Sequence, residues 1–202
     1  MGLIETSVHI LEEKKMKKEI NRTCPVWVGY LLASPIRKIW QNPEKLLKPF
    51  IQKGMNVLDI GSAMGFFSIP MAKMTGETGK VVCVDVQPKM LENLAQRAEK
   101  AGEKNLEYRV SNKDSLCIES LKNSIDFALA SAVIHEISHP EKALNEIGTA
   151  IKKNGKFYIA EPKGHVSEKL FEETVQLVVS LGFTCEQRSV DKMARIAVFN
   201  KN

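Results

Sequence analysis

The chain lacks any long apolar run. No stretch approaches the ~18 residues of a membrane-spanning helix, and the N-terminus has neither the apolar block nor the small-residue cleavage site of a secretory signal. A cytoplasmic protein without a membrane span is therefore expected. Paired cysteines are also missing: the four present, Cys24, Cys83, Cys117 and Cys185, form no Cys-x-x-Cys. That spacing argues against a zinc knuckle or a redox dithiol and for reduced thiols. Internal repeats and low-complexity tracts are absent too, which excludes solenoids and linker-like tails. Aromatic residues are scarce at 6%, so the stretch Cys24–Leu32, with Trp27 and Tyr30, stands out as something that needs covering.

What remains is the composition of an ordinary globular domain. At 202 residues, 44% apolar and 26% charged, the chain can bury a full core, and neither disorder nor a fibrous architecture is indicated. The net charge is +5, but Lys14, Lys15, Lys17 and Lys18 hold much of the surplus in one stretch. A solvated helix face explains them better than a nucleic-acid patch.

Two regions differ in pattern. From Glu5 to about Ile20 a charged segment with a sparse apolar stripe predicts a helix. Ser34-Pro35 and Asn42-Pro43 each place a capping residue before a proline at the first helical position, predicting two short helices. Residues 1–53 thus read as an N-terminal helical extension, in which Trp27, Tyr30 and Trp40 form either a lid or packing against the sheet edge.

After Gly54, short apolar runs alternate with longer helical segments, the pattern of βαβ units and a parallel sheet. Strands are expected at Asn56–Ile60, Val81–Asp85, Leu106–Val110, Ile125–Ala130 and Lys156–Ala160. Helices are expected at about Phe66–Met74, Pro88–Ala101, Leu116–Lys122, Pro140–Lys152 and Glu168–Leu181. Phe183–Ser189 and Ala194–Asn200 read as a terminal hairpin.

The first strand runs into Gly61-Ser62-Ala63-Met64-Gly65 and a helix, so backbone amides face whatever sits above the sheet and small residues permit close approach. Asp85 ends the next strand 85 − 65 = 20 residues after the last glycine, about the spacing at which a carboxylate meets ribose hydroxyls. The turn is not Gly-x-Gly-x-x-Gly, which argues against NAD.

Asp59-x-Gly61-x-Ala63-x-Gly65, together with Asp85, Asp114 after the third strand and Asp126 opening the fourth, resembles the class I S-adenosylmethionine-dependent methyltransferases. The family pattern carries glycine where this chain has Ala63. The resemblance covers 54–202 and implies an α/β fold: a Rossmann-like, doubly wound, mostly parallel seven-stranded sheet with a C-terminal antiparallel hairpin. It implies S-adenosylmethionine as cofactor, leaving as S-adenosylhomocysteine. Carried over residue by residue, Gly61, Ser62, Ala63 and Gly65 line the methionine half, Asp85 binds ribose, and Val86 and Gln87 flank the adenine. Asp114, Ser115 and Leu116 meet the adenine edge, and Ala130 ends the fourth strand beneath the donor. Asp59 either orients the glycine turn or meets the ammonium group through water.

The acceptor belongs above the carboxyl ends of the fourth and fifth strands. His135, Glu136, His139, Glu161 and His165 all fall there. Methyl transfer to a protonated acceptor needs alignment, dehydration and a base, and imidazole suits that role near neutral pH. His135 is the first candidate and His165 the second, with Glu136 or Glu161 as base or orienter; His139 reads as a surface residue. Adjacent His135-Glu136 is no ligand motif, so no metal is expected.

The fourth-strand segment lacks Asn/Asp-Pro-Pro-Tyr/Phe, which weighs against exocyclic-amine substrates. Its Ala-Ser-Ala-Val-Ile-His-Glu-Ile is similar to the corresponding region of the small-molecule group that includes quinone-biosynthesis and arsenite methyltransferases. A small-molecule acceptor is therefore expected. The alternatives are an RNA methyltransferase using the lysine-rich segment and a non-catalytic S-adenosylmethionine-binding regulator. A homodimer is compatible with the aromatic extension, whose sequence does not fix oligomeric state.

Overall fold

A computed structural model describes residues 42–202. The expected helices at Glu5–Ile20 and after Ser34-Pro35, together with Trp27, Tyr30, Trp40, His9, Cys24 and the lysine cluster, lie outside the described residues.

The first described element, α1 (Pro43–Leu47), starts as its sequence dictates: the Asn42 side chain accepts from the Lys45 amide at 3.1 Å and Pro43 opens the helix. Then follow β1 (Asn56–Ile60), α2 (Ser68–Thr75), β2 (Lys80–Asp85), α3 (Pro88–Ala101), β3 (Leu106–Val110), β4 (Ile125–Ser131), α4 (Pro140–Ala150), β5 (Ile151–Pro162), α5 (Glu168–Ser180), β6 (Phe183–Val190) and β7 (Ala194–Lys201). The seven strands lie in the order β3-β2-β1-β4-β5-β7-β6. Pairings among β1 to β5 are parallel, and β7 is antiparallel to both β5 and β6. The Rossmann-like sheet and terminal hairpin expected from the sequence are thus both present.

Strand order reverses at β1, where β2 lies on one side and β4 on the other. That crevice, above the carboxyl ends of the strands, is where open α/β sheets take ligands. Alternate residues of the buried strands feed two cores, as period-2 side chains must. Leu58, Ile60, Val82, Ala128 and Ile159 face Leu144, Ile147 and Val175 from α4 and α5. Val57, Val81, Phe127 and Tyr158 face Leu47, Met71, Leu91 and Leu94 from α1, α2 and α3. The ring of Phe50 stacks on Phe127 at 5.6 Å between centroids, so the segment just before residue 53 closes one face of the sheet.

α3 shows how the sequence encodes its own limits. Pro88 occupies the first turn, Met90, Leu91, Leu94 and Ala98 repeat at three- and four-residue spacing on the buried side, and Gly102 ends the helix at φ 79°.

Two expected helices are corrected. At 116–122 only a single 3-10 turn forms, Glu119–Leu121, because Leu116 and Ile118 turn into the core and Cys117 between them adopts φ 57°. α4 stops at Ala150 rather than Lys152 because Ile151 is extended and fully buried beside Ile125; burial in the sheet outweighs helical periodicity.

Asn105 staples the end of α2 to the start of β3. Its amide nitrogen lies 3.0 Å from the Ala72 carbonyl, 2.9 Å from the Gly76 carbonyl and 3.1 Å from Thr75 Oγ1. Asn105→Ala removes a part-buried donor serving the carbonyls that a helix end leaves open. The expected cost is about 2 kcal/mol, or roughly 5 °C of Tm, readable by thermal denaturation. A change below about 1 °C would show that water replaces the amide at no cost.

Candidate functional site

The turn between β1 and α2 is built from backbone. Gly61 and Ser62 both donate to the Val84 carbonyl, at 2.9 and 3.0 Å, and Gly65 donates back to the Ser62 carbonyl at 2.9 Å. Gly61, Ala63 and Gly65 adopt positive φ of 69°, 45° and 83°. Ala63 therefore occupies a left-handed conformation that costs an L residue roughly 1–2 kcal/mol, which explains physically why the family pattern has glycine there.

Asp85 ties this turn to the next. One carboxylate oxygen accepts from the Ala63 amide and the other from the Gln87 amide, each at 2.9 Å. Burial raises the Asp85 pKa, and the Gln87 and Ala63 amides oppose the rise. Asp59, 2% exposed, accepts from Ser68 Oγ at 2.5 Å. Burial pushes its pKa up to about 7, with the Ser68 hydroxyl opposing and the Asp85 charge adding. Burial thus suppresses the ionisation of both acids. Ser62 Oγ is buried without a hydrogen-bond partner among the described residues. A buried orphan hydroxyl, two suppressed carboxylates and a cradle of small residues fit a ligand carrying both a sulfonium and an ammonium group.

The sign of the Asp59 effect is testable. Between about pH 4 and about 7 the folded state holds a proton that the unfolded state has released, so stability falls as pH rises through that window and stays low above it. Asp59→Asn keeps an acceptor for Ser68 and abolishes the titration. Relative to the parent, the ligand-free variant should gain stability from pH 5 to pH 8, by up to roughly 4 kcal/mol, in urea denaturation. A pH-independent difference would refute the assignment.

On the adenine side of the expected site, Val86 is exposed and Gln87 half-buried. Asp114 is exposed, its amide held by Asn112 Oδ1 at 2.8 Å. The polar groups of Ser115 are engaged internally: its amide donates to Asn112 Oδ1 at 3.0 Å, and its hydroxyl lies 2.9 Å from Glu119 and 3.1 Å from Glu146. The Leu116 side chain is in the core, and so is that of Ala130, which is fully buried. Of these residues, Asp114 and Val86 therefore present side chains outward, while Leu116 and Ala130 are buried and Ser115 is bonded within the protein. Sequence reasoning missed Asn112, which folds this loop; an asparagine right after a strand is the turn-forming signal that marks it.

The acceptor-side residues converge. After β4 the chain makes a 3-10 turn, Ile134–Glu136, and buried Glu161 at the end of β5 accepts from the Ile134 amide at 2.8 Å and from the Val133 amide at 3.3 Å. Its other oxygen binds His135 Nδ1. That carboxylate raises the His135 pKa against an opposing effect of burial. Glu161 is 1% exposed with both oxygens committed, so it orients His135 and leaves the imidazole Nε2 for a ligand. The His165 ring sits edge-on to His135 at 5.5 Å. Glu136, on the same turn, adds negative charge near His135, and His139 is exposed.

Donor and acceptor sides touch. A Cβ built on Gly61 would lie 2.6 Å from Val133 Cγ2, so the valine that begins the His135 turn packs directly on the glycine turn.

With this geometry in view, residues 51–198 match the methyltransferase domain family. The chain belongs to that family. Its fold is that of the class I S-adenosylmethionine-dependent methyltransferases. It is similar to a SAM-dependent methyltransferase from Aquifex aeolicus: 28% identity, TM-score 0.78, covering 89% of this chain and 100% of that one. It is also 28% identical over 132 residues to the ubiquinone/menaquinone biosynthesis C-methyltransferase UbiE of Francisella tularensis subsp. novicida, covering 65% of this chain and 52% of the relative. The UbiE of Haemophilus ducreyi is 28% identical over 148 residues, covering 73% and 54%. The methyltransferase chain spans about half the length of these curated relatives. No described helix of this methyltransferase is long and apolar enough to cross a membrane.

Proposed function

We propose that this methyltransferase alkylates a carbon atom of a small molecule, with His135 as the base and Glu161 holding it. The observation that carries the reading is the buried Glu161, which binds two amides of the 134–136 turn and the imidazole that the turn displays. The relatives are named as C-methyltransferases. Exchanging a C–H bond for a C–CH3 bond releases a proton, which a carbon acceptor must pass to a base. His135 Nε2 takes it, and Glu161 stabilises the imidazolium that forms.

The donor half of the site consists of the Gly61–Gly65 turn, the orphan Ser62 hydroxyl, Asp59 and Asp85, with Val86, Gln87 and Asp114 bordering the adenine. When bound, S-adenosylmethionine supplies an electrophilic methyl group on a sulfonium. Asp85 holds the glycine turn in shape through the Ala63 amide. The His165 ring lies edge-on beside His135.

The test is calorimetry with S-adenosylmethionine and S-adenosylhomocysteine, followed by a screen of small acceptors with donor labelled in the methyl group. Donor binding well below ~1 mM and label appearing on a carbon of one acceptor class support the proposal. Label appearing only on nitrogen or oxygen would replace the carbon reading, and failure to bind either form of the donor would end it.

A further inference from the structure

We infer that Glu146, on α4 and outside every group assigned above, is a positioning residue for the adenosine half of the donor. The inference rests on the reading that the loop after β3 borders the adenine. The loop is folded by its own bonds: Asn112 Oδ1 gathers the amides of Asp114 and Ser115, and the Asn112 amide donates to the Ser115 carbonyl at 2.9 Å. Arg109 anchors its far end, reaching the Cys117 carbonyl at 3.1 Å.

Glu146 ties the same part of the loop to a helix. One of its oxygens accepts from the Leu116 amide at 2.9 Å and lies 3.1 Å from the Ser115 hydroxyl, whose single proton it shares with Glu119 at 2.9 Å. A carboxylate accepting from an amide and a hydroxyl makes short-range, directional, charge-assisted bonds. Leu116 points into the core, so the Leu116 amide and Ser115 are the pivot from which Asp114 projects. α4 begins four residues after the His135 turn ends. The helix that starts at the acceptor side thus sets the height of the loop on the donor side.

The consequence is a split in kinetic effect. Glu146→Ala in the full chain should raise the dissociation constant for S-adenosylhomocysteine about tenfold, equivalent to about 1.4 kcal/mol. The donor KM should rise in parallel, with kcat at saturating donor and the acceptor KM unchanged. Glu146→Gln, which keeps an oxygen able to accept both bonds, should restore affinity to within about threefold of the parent. Hydrogen exchange supplies a readout independent of turnover: S-adenosylhomocysteine should slow exchange at residues 112–118 of the parent, and ligand-free Glu146→Ala should exchange faster there. If the alanine variant fails to fold, Glu146→Asp, one methylene shorter, carries the same affinity expectation. Parent-like affinity in the alanine or aspartate variant, with ligand protection of 112–118 intact, overturns the inference and leaves the loop reading standing. Absence of ligand protection at 112–118 in the parent removes the loop reading and the inference together.

Discussion

His135→Ala should lower turnover by about 100- to 10,000-fold, the range supplied by a positioned general base, while leaving the affinity for S-adenosylhomocysteine within about twofold of the parent. The separation follows from the architecture. The donor rests on the β1–α2 turn and Asp85, whereas His135 is held from β5 through Glu161. The pH profile sharpens the expectation. Glu161 raises the His135 pKa above its ordinary 6.5, so the neutral, proton-accepting imidazole accumulates only above that raised value. The acid limb of kcat/KM should therefore have its midpoint above 6.5. Glu161→Gln removes the charge but keeps an acceptor for the turn, and should move the midpoint down towards the ordinary value. The same pair contributes to stability with the sign of a raised histidine: the contribution is complete below about pH 6.5 and is lost as pH rises through the folded-state value. An acid limb that stays put in Glu161→Gln, or full turnover by His135→Ala, would assign the proton to another group.

Most of the fold was legible because its signals are local and strong. Continuous apolar runs marked the strands, proline and glycine marked the limits of α3, and β1 and β3 lie where the sequence put them. The errors arose where a distant surface overrode the local pattern. Residues 116–122 carry helix-compatible side chains, but the core takes Leu116 and Ile118 and leaves one 3-10 turn. Ile151 continues the helical period of α4, yet the sheet claims it. The site divides in the same way. Asp85 and the glycine turn follow from spacing along one βαβ unit. That Glu161 would bind His135 depends on two strands meeting, and sequence spacing carries no information on the partners its two oxygens take. The partners of Ser115 were invisible for a related reason, since Glu146 lies 31 residues away on another element.

Gly65→Ala should be the most destabilising small substitution in the donor cradle, and the physical cause can be isolated. Gly65 adopts φ 83°, and a Cβ there would stand 2.1 Å from Leu94 Cδ1 and 3.3 Å from Ile69 Cγ1. Leu94 is fully buried on α3. Overpacking at a filled site costs about 1–3 kcal/mol and the left-handed backbone about 1–2 more, a sum of roughly 2–5 kcal/mol against a total stability of order 10. Urea denaturation of Gly65→Ala, Leu94→Ala and the double variant separates the two contributions. Leu94→Ala opens the space that the new methyl group needs, so the penalty of Gly65→Ala should shrink by about 1–3 kcal/mol in that background, while the backbone cost persists. Strict additivity would show that the methyl finds room elsewhere and that backbone strain alone requires glycine. The equivalent cycle at Gly61 and Val133 should express itself differently. There the obstructing side chain belongs to the turn that carries His135, so Gly61→Ala should depress turnover as well as donor affinity, and Val133→Ala should recover part of both.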